Sequence, residues 1–189
     1  MKRNLSRVLV GILVLGLLTA CGTQNSTTPS SNNTPTTQSS QTTASQSLSF
    51  SDLSALLGKS DADVSKVLGE GTENVTADGS FLIGREYEST VLDTKVKLHT
   101  TYVNDDAHTV ESLSLWITQG EEPVSNDTIS TWVDALTKYL GADPTITEPS
   151  EEIGTRTWNW TTDDSIWNLQ LLENILTLSI QAPSGGELQ

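Results

Sequence analysis

Apolar residues recur between positions 48 and 181 with a period that changes in an ordered way. Helical spacing, with apolar side chains every three or four positions, occurs in three segments that each end at a glycine: Leu53–Leu57, Val64–Leu68 and Ile129–Leu140. Alternation of apolar and polar side chains predicts six strands, over residues 81–88, 91–103, 110–118, 153–161, 165–172 and 175–181. The predicted order is helices and three strands, then one helix and three strands.

Two short stretches recur in the same order and indicate an internal duplication. The segment Lys66–Gly69 (KVLG) matches Lys138–Gly141 (KYLG), and Ile83–Arg85 (IGR) matches Ile153–Arg156 (IGTR) with one extra residue. With the order of elements, these matches predict an α+β fold in which helices are packed on one face of an antiparallel meander sheet. The predicted units are two tandem helix-plus-three-strand repeats, at about residues 50–118 and 126–181.

The first 21 residues have a different character. A basic start (Lys2, Arg3, Arg7) precedes an apolar run, which is the layout of a secretory signal peptide. The run of about 12 residues is short of the roughly 20 that a membrane-spanning helix needs. Its end, Leu18–Cys21 (LTAC), resembles the lipobox of bacterial lipoproteins. The resemblance implies a signal peptide over 1–20 and acyl chains on Cys21 that hold the protein in the lipid bilayer, facing the extracytoplasmic side. The alternative is a plain secretory signal with an incidental cysteine.

Composition separates a linker from a folded region. Residues 22–47 contain 15 Ser or Thr, 7 Gln or Asn, no charge and no large apolar residue. Such a segment cannot bury enough surface to offset its ordering entropy. We therefore predict a disordered tether over 21–47, which begins at the lipidated cysteine, and an α+β domain over 48–189.

The charge balance excludes one class of partner. From residue 22 onward the chain has 7 basic and 24 acidic residues, a net of −17 (7 minus 24). A nucleic-acid binder needs clustered Lys and Arg, so we predict no nucleic-acid partner. The single cysteine also excludes an internal disulfide and a Cys-rich zinc site.

Motifs for catalysis, metals or cofactors are missing from the sequence. It contains no Gly-rich phosphate loop, paired-cysteine motif or nucleophile elbow. The two histidines, His99 and His108, have no evident orienting partner and are predicted to lie at the surface. Acidic pairs such as Asp105–Asp106 fall in turns without the ligand spacing of a calcium loop. We predict no enzyme activity, no cofactor and no metal.

Tryptophan usage points to a recognition surface. The chain has five Trp and two Phe, and Trp is enriched at interfaces. Trp132 and Trp167 follow the apolar pattern of their segments and are predicted to lie in the core. The remaining aromatic and basic positions share strand parities with polar residues, and we predict that they line an open sheet face: Arg85, Tyr87, His99, Trp116, Trp158 and Trp160. The alternative is that a second layer of structure buries them.

The segment Lys59–Gly69 (KSDADVSKVLG), followed by an antiparallel meander, resembles the unit of small bacterial lipoproteins of the SmpA/OmlA type. It is also similar to the tandem repeats of the β-lactamase-inhibitor-protein fold. These resemblances imply a non-catalytic binding or scaffolding module. We therefore expect a membrane-anchored extracytoplasmic lipoprotein that binds an unknown protein or glycan. A carbohydrate- or cell-wall-binding module with stacking tryptophans is the alternative, followed by a hydrolase.

Overall fold

The computed structural model describes residues 46–149 and 154–183. The predicted signal peptide, Cys21 and the tether up to residue 45 lie outside the described residues, as does Ile153 at the start of one predicted strand. The described elements are three helices and nine strands. The helices are α1 (Phe50–Ser54), α2 (Asp61–Leu68) and α3 (Asn126–Leu140). The strands are β1 (Gln46–Ser47), β2 (Thr72–Val75), β3 (Leu82–Val91), β4 (Thr94–Tyr102), β5 (Val110–Gln119), β6 (Thr145–Thr147), β7 (Thr155–Thr161), β8 (Ile166–Leu172) and β9 (Ile175–Gln181).

All nine strands join into one mixed sheet. Its order is β1-β3-β4-β5-β9-β8-β7-β6, and β2 pairs with β3 beside β1. The pairing of β1 with β3 is parallel, and the other pairings are antiparallel. Neighbouring strands in the middle of the sheet, β5 and β9, are far apart in sequence, so their pairing joins the two halves of the chain.

The predicted fold class, helices packed on one face of a meander as two tandem helix-plus-three-strand repeats, is wrong. The described residues form one large mixed sheet of nine strands with few helices. The sequence pattern did not predict three of the strands, namely β1, β2 and β6. Each has four residues or fewer and no apolar alternation, and each is held by pairing with a longer strand. The six predicted strands do not form separate units, because β5 and β9 pair along seven positions.

Local sequence explains where each helix begins and where α3 ends. The Ser60 and Ser125 side chains accept the backbone N–H of Asp63 and Thr128 and so cap α2 and α3. Ser49 and Asp52 form a reciprocal capping box at α1. The αL conformation of the glycine after α3 ends that helix, as its sequence predicted.

Two tight turns fix the register of the β3–β4 and β8–β9 hairpins. Leu92 and Asp93 both have positive φ, which gives a two-residue turn of the type that matches strand twist. The predicted strand over 91–103 is therefore interrupted at this turn. The predicted turn at Glu173 and Asn174 is confirmed and joins β8 to β9.

The register gives the sheet two chemically different faces. On one face, here called the covered face, a row crosses six strands and consists of Tyr87, Leu98, Leu115, Leu178, Leu169 and Trp158, all buried. Aromatic rings of α1 and α3 lie against this face, with the Phe50 ring centroid 5.9 Å from that of Trp167 and the Tyr139 centroid 5.6 Å from it. The opposite side is here called the open face, and polar side chains dominate it.

Candidate functional site

The open face carries two cross-strand rows of seven residues each. The first row is Glu88, Lys97, Trp116, Thr177, Gln170, Thr157 and Thr147, and the second is Glu86, His99, Ser114, Ser179, Asn168, Asn159 and Thr145. The first two members of each row, on β3 and β4, are ionisable. From β5 onward every member is neutral. Strand spacing of about 4.8 Å makes each row roughly 29 Å long.

Charged side chains on β3 and β4 compensate one another. The Lys97 Nζ lies 3.2 Å from Glu86 Oε1, and the His99 Nε2 lies 3.6 Å from Glu86 Oε2. The His99 ring also contacts the Trp116 indole, with 6.2 Å between ring centroids. These contacts place an aromatic side chain at the boundary between the ionisable and neutral parts of the open face.

A groove of about 220 Å³ lies beside Trp116. Its lining consists of Glu88, Ser89, Lys95, Val96, Lys97, Trp116, Ile117 and Gln119. Sites for drug-sized ligands have roughly 300–1,000 Å³. The groove is therefore large enough for one ring-sized group, and the rest of a longer ligand would lie on the sheet.

Neutral polar groups continue from Trp116 across four strands. We call this set the neutral strip, and it consists of Ser114, Thr177, Ser179, Asn168, Gln170, Thr157 and Asn159, all half-buried. Two of its amides form a ladder, in which Asn168 Nδ2 donates to Asn159 Oδ1 at 2.5 Å and Asn159 Nδ2 donates to Thr157 Oγ1 at 3.1 Å. Strands β5, β7, β8 and β9 carry two charged residues, Glu111 near the start of β5 and Arg156 of β7, and neither belongs to the two rows of the open face.

Four of the six predicted binding-face residues lie on the covered face, so that prediction is wrong for them. Tyr87, Trp158 and Trp160 are only 5%, 5% and 2% exposed. Arg85 shares their side of the sheet and pairs with Asp61. The alternative interpretation, burial by a second layer, applies to these residues. His99 and Trp116 lie together on the open face as predicted.

The prediction failed for these residues because the alternation of side chains along a strand assigns them to two faces of the sheet but does not tell which face is covered by other elements. Trp158 lies opposite Leu169, and Trp160 lies opposite Trp167, so the β7 tryptophans belong to the apolar side. A usable signal was present in the other parity of β7, where Thr155, Thr157, Asn159 and Thr161 are all polar. The sequence reasoning also missed the two lysines of the groove and the neutral strip.

Arg85 belongs to a polar cluster on the covered face. Its Nε and Nη2 donate to the two carboxylate oxygens of Asp61 at 2.7 and 3.0 Å, and its Nη1 donates to the Glu70 carbonyl at 2.8 Å. The Tyr102 hydroxyl donates to Asp61 Oδ1 at 2.5 Å. The guanidinium lowers the pKa of Asp61, and Asp61 in turn raises the pKa of Arg85. The cluster therefore joins the start of α2 to β3 and β4.

Two phenols beside this cluster stay protonated. Burial is the main cause that raises the pKa of Tyr102 and that of Tyr87. His108 stacks near them, with its ring centroid 6.0 Å from Tyr102 and 5.6 Å from Phe81. His108 is half-buried, and its Nδ1 has no hydrogen-bond partner among the described residues. It does not lie at the surface as predicted.

The described part of the chain offers neither a metal-binding cluster nor a membrane-spanning helix. Over residues 46–149 and 154–183, no group of three or more His, Cys, Asp or Glu is placed to hold a metal ion. Within the same ranges, no helix has the length and apolar character needed to cross a bilayer.

Comparisons with known proteins give little similarity. No protein-family model and no curated protein matches the chain. A solved structure that resembles it is the crystal structure of a DUF4309 family protein (YjgB) from Bacillus subtilis subsp. subtilis strain 168. The two share 14% identity over 66% of this chain and 78% of the other, with a TM-score of 0.39. A likeness of this degree establishes neither the family nor the function of the chain.

Proposed function

We propose that the protein is an extracytoplasmic lipoprotein, anchored through acyl chains on Cys21, whose domain is a non-catalytic binding module. The observation that carries the binding role is the open face, where Trp116 and His99 adjoin a field of neutral polar side chains. Recognition sites combine an aromatic anchor with hydrogen-bonding groups around it, and this face offers both. The anchor is supported by the LTAC sequence that ends at Cys21.

A hydrolase is supported less well by the same residues. His99 and Glu86 are the obvious acid–base pair, but 3.6 Å between Nε2 and Oε2 is longer than the roughly 2.6–3.2 Å of a positioned catalytic pair. Neither residue lines the groove beside Trp116. A general base without an enclosing site has no means to orient a substrate or exclude water.

Site-specific photo-crosslinking in intact cells tests the binding role. A photoreactive amino acid replaces Ser114 on the open face, and the matched control carries it at Ser130, which is exposed on α3. We expect a discrete adduct from position 114 and none from position 130. Equal adducts at both positions, or none at either, would contradict recognition by the open face.

Membrane fractionation tests the anchor separately. Acyl chains on the cysteine thiol and the new amino terminus give stable membrane binding, where a single chain is marginal. We therefore expect the wild-type protein in the membrane pellet and the Cys21→Ala variant outside it. A variant that stays in the pellet after a high-salt wash, or an unmodified Cys21 in the mass spectrum of the wild type, would refute the anchor.

A further inference from the structure

The geometry points to a neutral, unbranched glycan as the ligand of the open face, and this inference rests on the proposed binding function. We propose that one sugar ring stacks on Trp116 in the adjoining groove, and that the following rings lie along the neutral strip. The occupant is a polyhydroxyl chain without charge. Four observations carry the inference, namely the chemistry of the strip, its charge, the indole of Trp116 and the length of the strip.

The chemistry of the neutral strip matches hydroxyl groups. Its seven side chains are all hydroxyls or primary amides. Each hydroxyl both donates and accepts, and each amide has two donors and a carbonyl acceptor. A sugar hydroxyl has the same double capacity, so it can pair with any member of the strip. Protein interfaces, by contrast, concentrate apolar area at their centres, and the strip contains no large apolar side chain.

The charge distribution selects a neutral ligand over an ionic one. A net of −17 from residue 22 onward repels an anionic polymer, and the strip itself offers no cation to offset that repulsion. A cationic polymer would find its best contacts at the acidic loops, away from the strip. At the groove, Lys97 is already paired with Glu86, and Lys95 and Glu88 add one charge of each sign, so these side chains together have no net charge to attract an ionic ligand. A neutral chain can therefore bind to the strip without removing water from any charged group.

The indole of Trp116 provides the stacking surface. It is half-buried and lines the groove, and the His99 ring lies 6.2 Å from it between centroids. The face of an aromatic ring is electron-rich and attracts the weakly positive C–H groups of a sugar ring. The groove of about 220 Å³ accepts one such ring.

The length of the strip favours a chain over a single sugar. From Trp116 the first row crosses the strip on β9, β8 and β7 and continues one strand beyond it, to Thr147 on β6. Four strand spacings of about 4.8 Å give roughly 19 Å, which is room for several consecutive rings. Since the backbone of the sheet is hydrogen-bonded throughout, the strip is rigid and loses little entropy on binding.

Calorimetric titration of the full-length lipidated protein in a sugar-free detergent tests the inference. The probes are cellohexaose and hexa-N-acetylchitohexaose, which are neutral, with the deacetylated chitosan hexamer and hexagalacturonate as cationic and anionic counterparts. We expect at least one neutral hexamer to bind at least about tenfold more tightly than both charged ones. A tenfold change corresponds to about 1.4 kcal/mol.

Variants locate the site. Trp116→Ala removes the stacking surface, and Ser179→Asp places a charge in the middle of the neutral strip. Each is expected to weaken binding of the neutral hexamer about tenfold or more. Ser130→Asp adds the same charge on α3 and should leave affinity within about twofold. Circular dichroism confirms that each variant is folded.

The inference is overturned if no neutral hexamer binds at millimolar concentration, if a charged one binds more tightly, or if the open-face variants behave like Ser130→Asp. Its failure is distinguishable from that of the proposed function. A protease-sensitive adduct from position 114 in cells, with no binding of the neutral hexamers, refutes the glycan and leaves the binding module. No adduct and no sugar binding refute both.

Discussion

Replacement of Asp61 by asparagine tests the polar cluster with little change in shape. The variant removes a carboxylate that accepts from Arg85 Nε at 2.7 Å, from Arg85 Nη2 at 3.0 Å and from the Tyr102 hydroxyl at 2.5 Å. The side chains of Arg85 and Asp61 are only 13% and 17% exposed, so the guanidinium stays in place with little water to replace its partner.

The magnitude follows from what remains around the guanidinium. Loss of one partner from a buried ion pair costs about 3–5 kcal/mol. Arg85 keeps the Glu70 carbonyl at 2.8 Å and the Glu73 carboxylate at 3.2 Å, so the guanidinium is not left without partners. We therefore expect Asp61→Asn to lower the free energy of unfolding by about 2 kcal/mol, below that range.

Urea unfolding at pH 7 measures this loss, and Asp63→Asn is the matched control. Asp63 lies in the same first turn of α2 and pairs with Lys66 at 2.8 Å, but its side chain and that of Lys66 are 53% and 75% exposed. Water already solvates that pair, so its loss should matter far less. Equal destabilisation by the two variants would refute the assignment of Asp61 to a buried pair.

The pH dependence of the same variant gives a second test. Hydrogen bonds from Arg85 lower the pKa of Asp61 in the folded state. The carboxylate therefore contributes its full stabilisation above the unfolded-state pKa near 4 and loses it as the pH falls through the lower folded-state value. The gap between wild type and Asp61→Asn should be constant above about pH 5 and narrow below about pH 4. A gap that is independent of pH down to acid unfolding would contradict this.

Four further variants probe the sheet and its covering layer, each by thermal and urea unfolding. Gly84→Ala should destabilise by about 1–3 kcal/mol or prevent folding, because a Cβ there would lie 1.8 Å from the Thr100 carbonyl oxygen; wild-type stability would mean that β3 and β4 are not this close. Trp158→Ala should lower the free energy of unfolding by about 3–5 kcal/mol and Trp116→Ala by under about 1.5 kcal/mol, since only Trp158 is buried. A larger loss for Trp116→Ala would mean that Trp116, and not Trp158, lies on the covered face. Ser49→Ala should cost about 1 kcal/mol through loss of the capping box, and an unchanged melting curve would show that α1 does not need it.

The elements that the sequence predicted well are those whose signals are local. The caps of α2 and the glycine after α3 mark helix ends by hydrogen bonding and backbone conformation within a few residues. β2, β6 and β1 carry no such signal, because TENV, TIT and QS are polar and short. They are strands only because β3 and β7 present unpaired edges to them, which is a property of the assembled sheet.

The candidate site was predictable in part for a related reason. Trp116 alternates along β5 with the same parity as two serines, and these polar neighbours correctly indicate that it lies on the open face. For Trp158 the parity was equally clear, but the side that α1 and α3 cover depends on which strands pair. Only the register, which sets Trp158 opposite Leu169 and Leu169 opposite Leu178, connects its face to the apolar row. The pairing of strands that are distant in sequence therefore determines which face is covered, which the alternation within one strand cannot show.

Strand β3 shows how stability and recognition can be separated within one element. Arg85 and Tyr87 point to the covered face, where Arg85 belongs to the polar cluster and Tyr87 to the core. Glu86 and Glu88, which alternate with them along the strand, point to the open face. The side chains on one face of β3 do not contact those on the other face, because the backbone of the sheet lies between them. A variant such as Asp61→Asn should thus lower stability without changing the affinity of the open face, as long as the protein stays folded. Substitutions on the neutral strip should do the reverse, so the two properties can be altered independently.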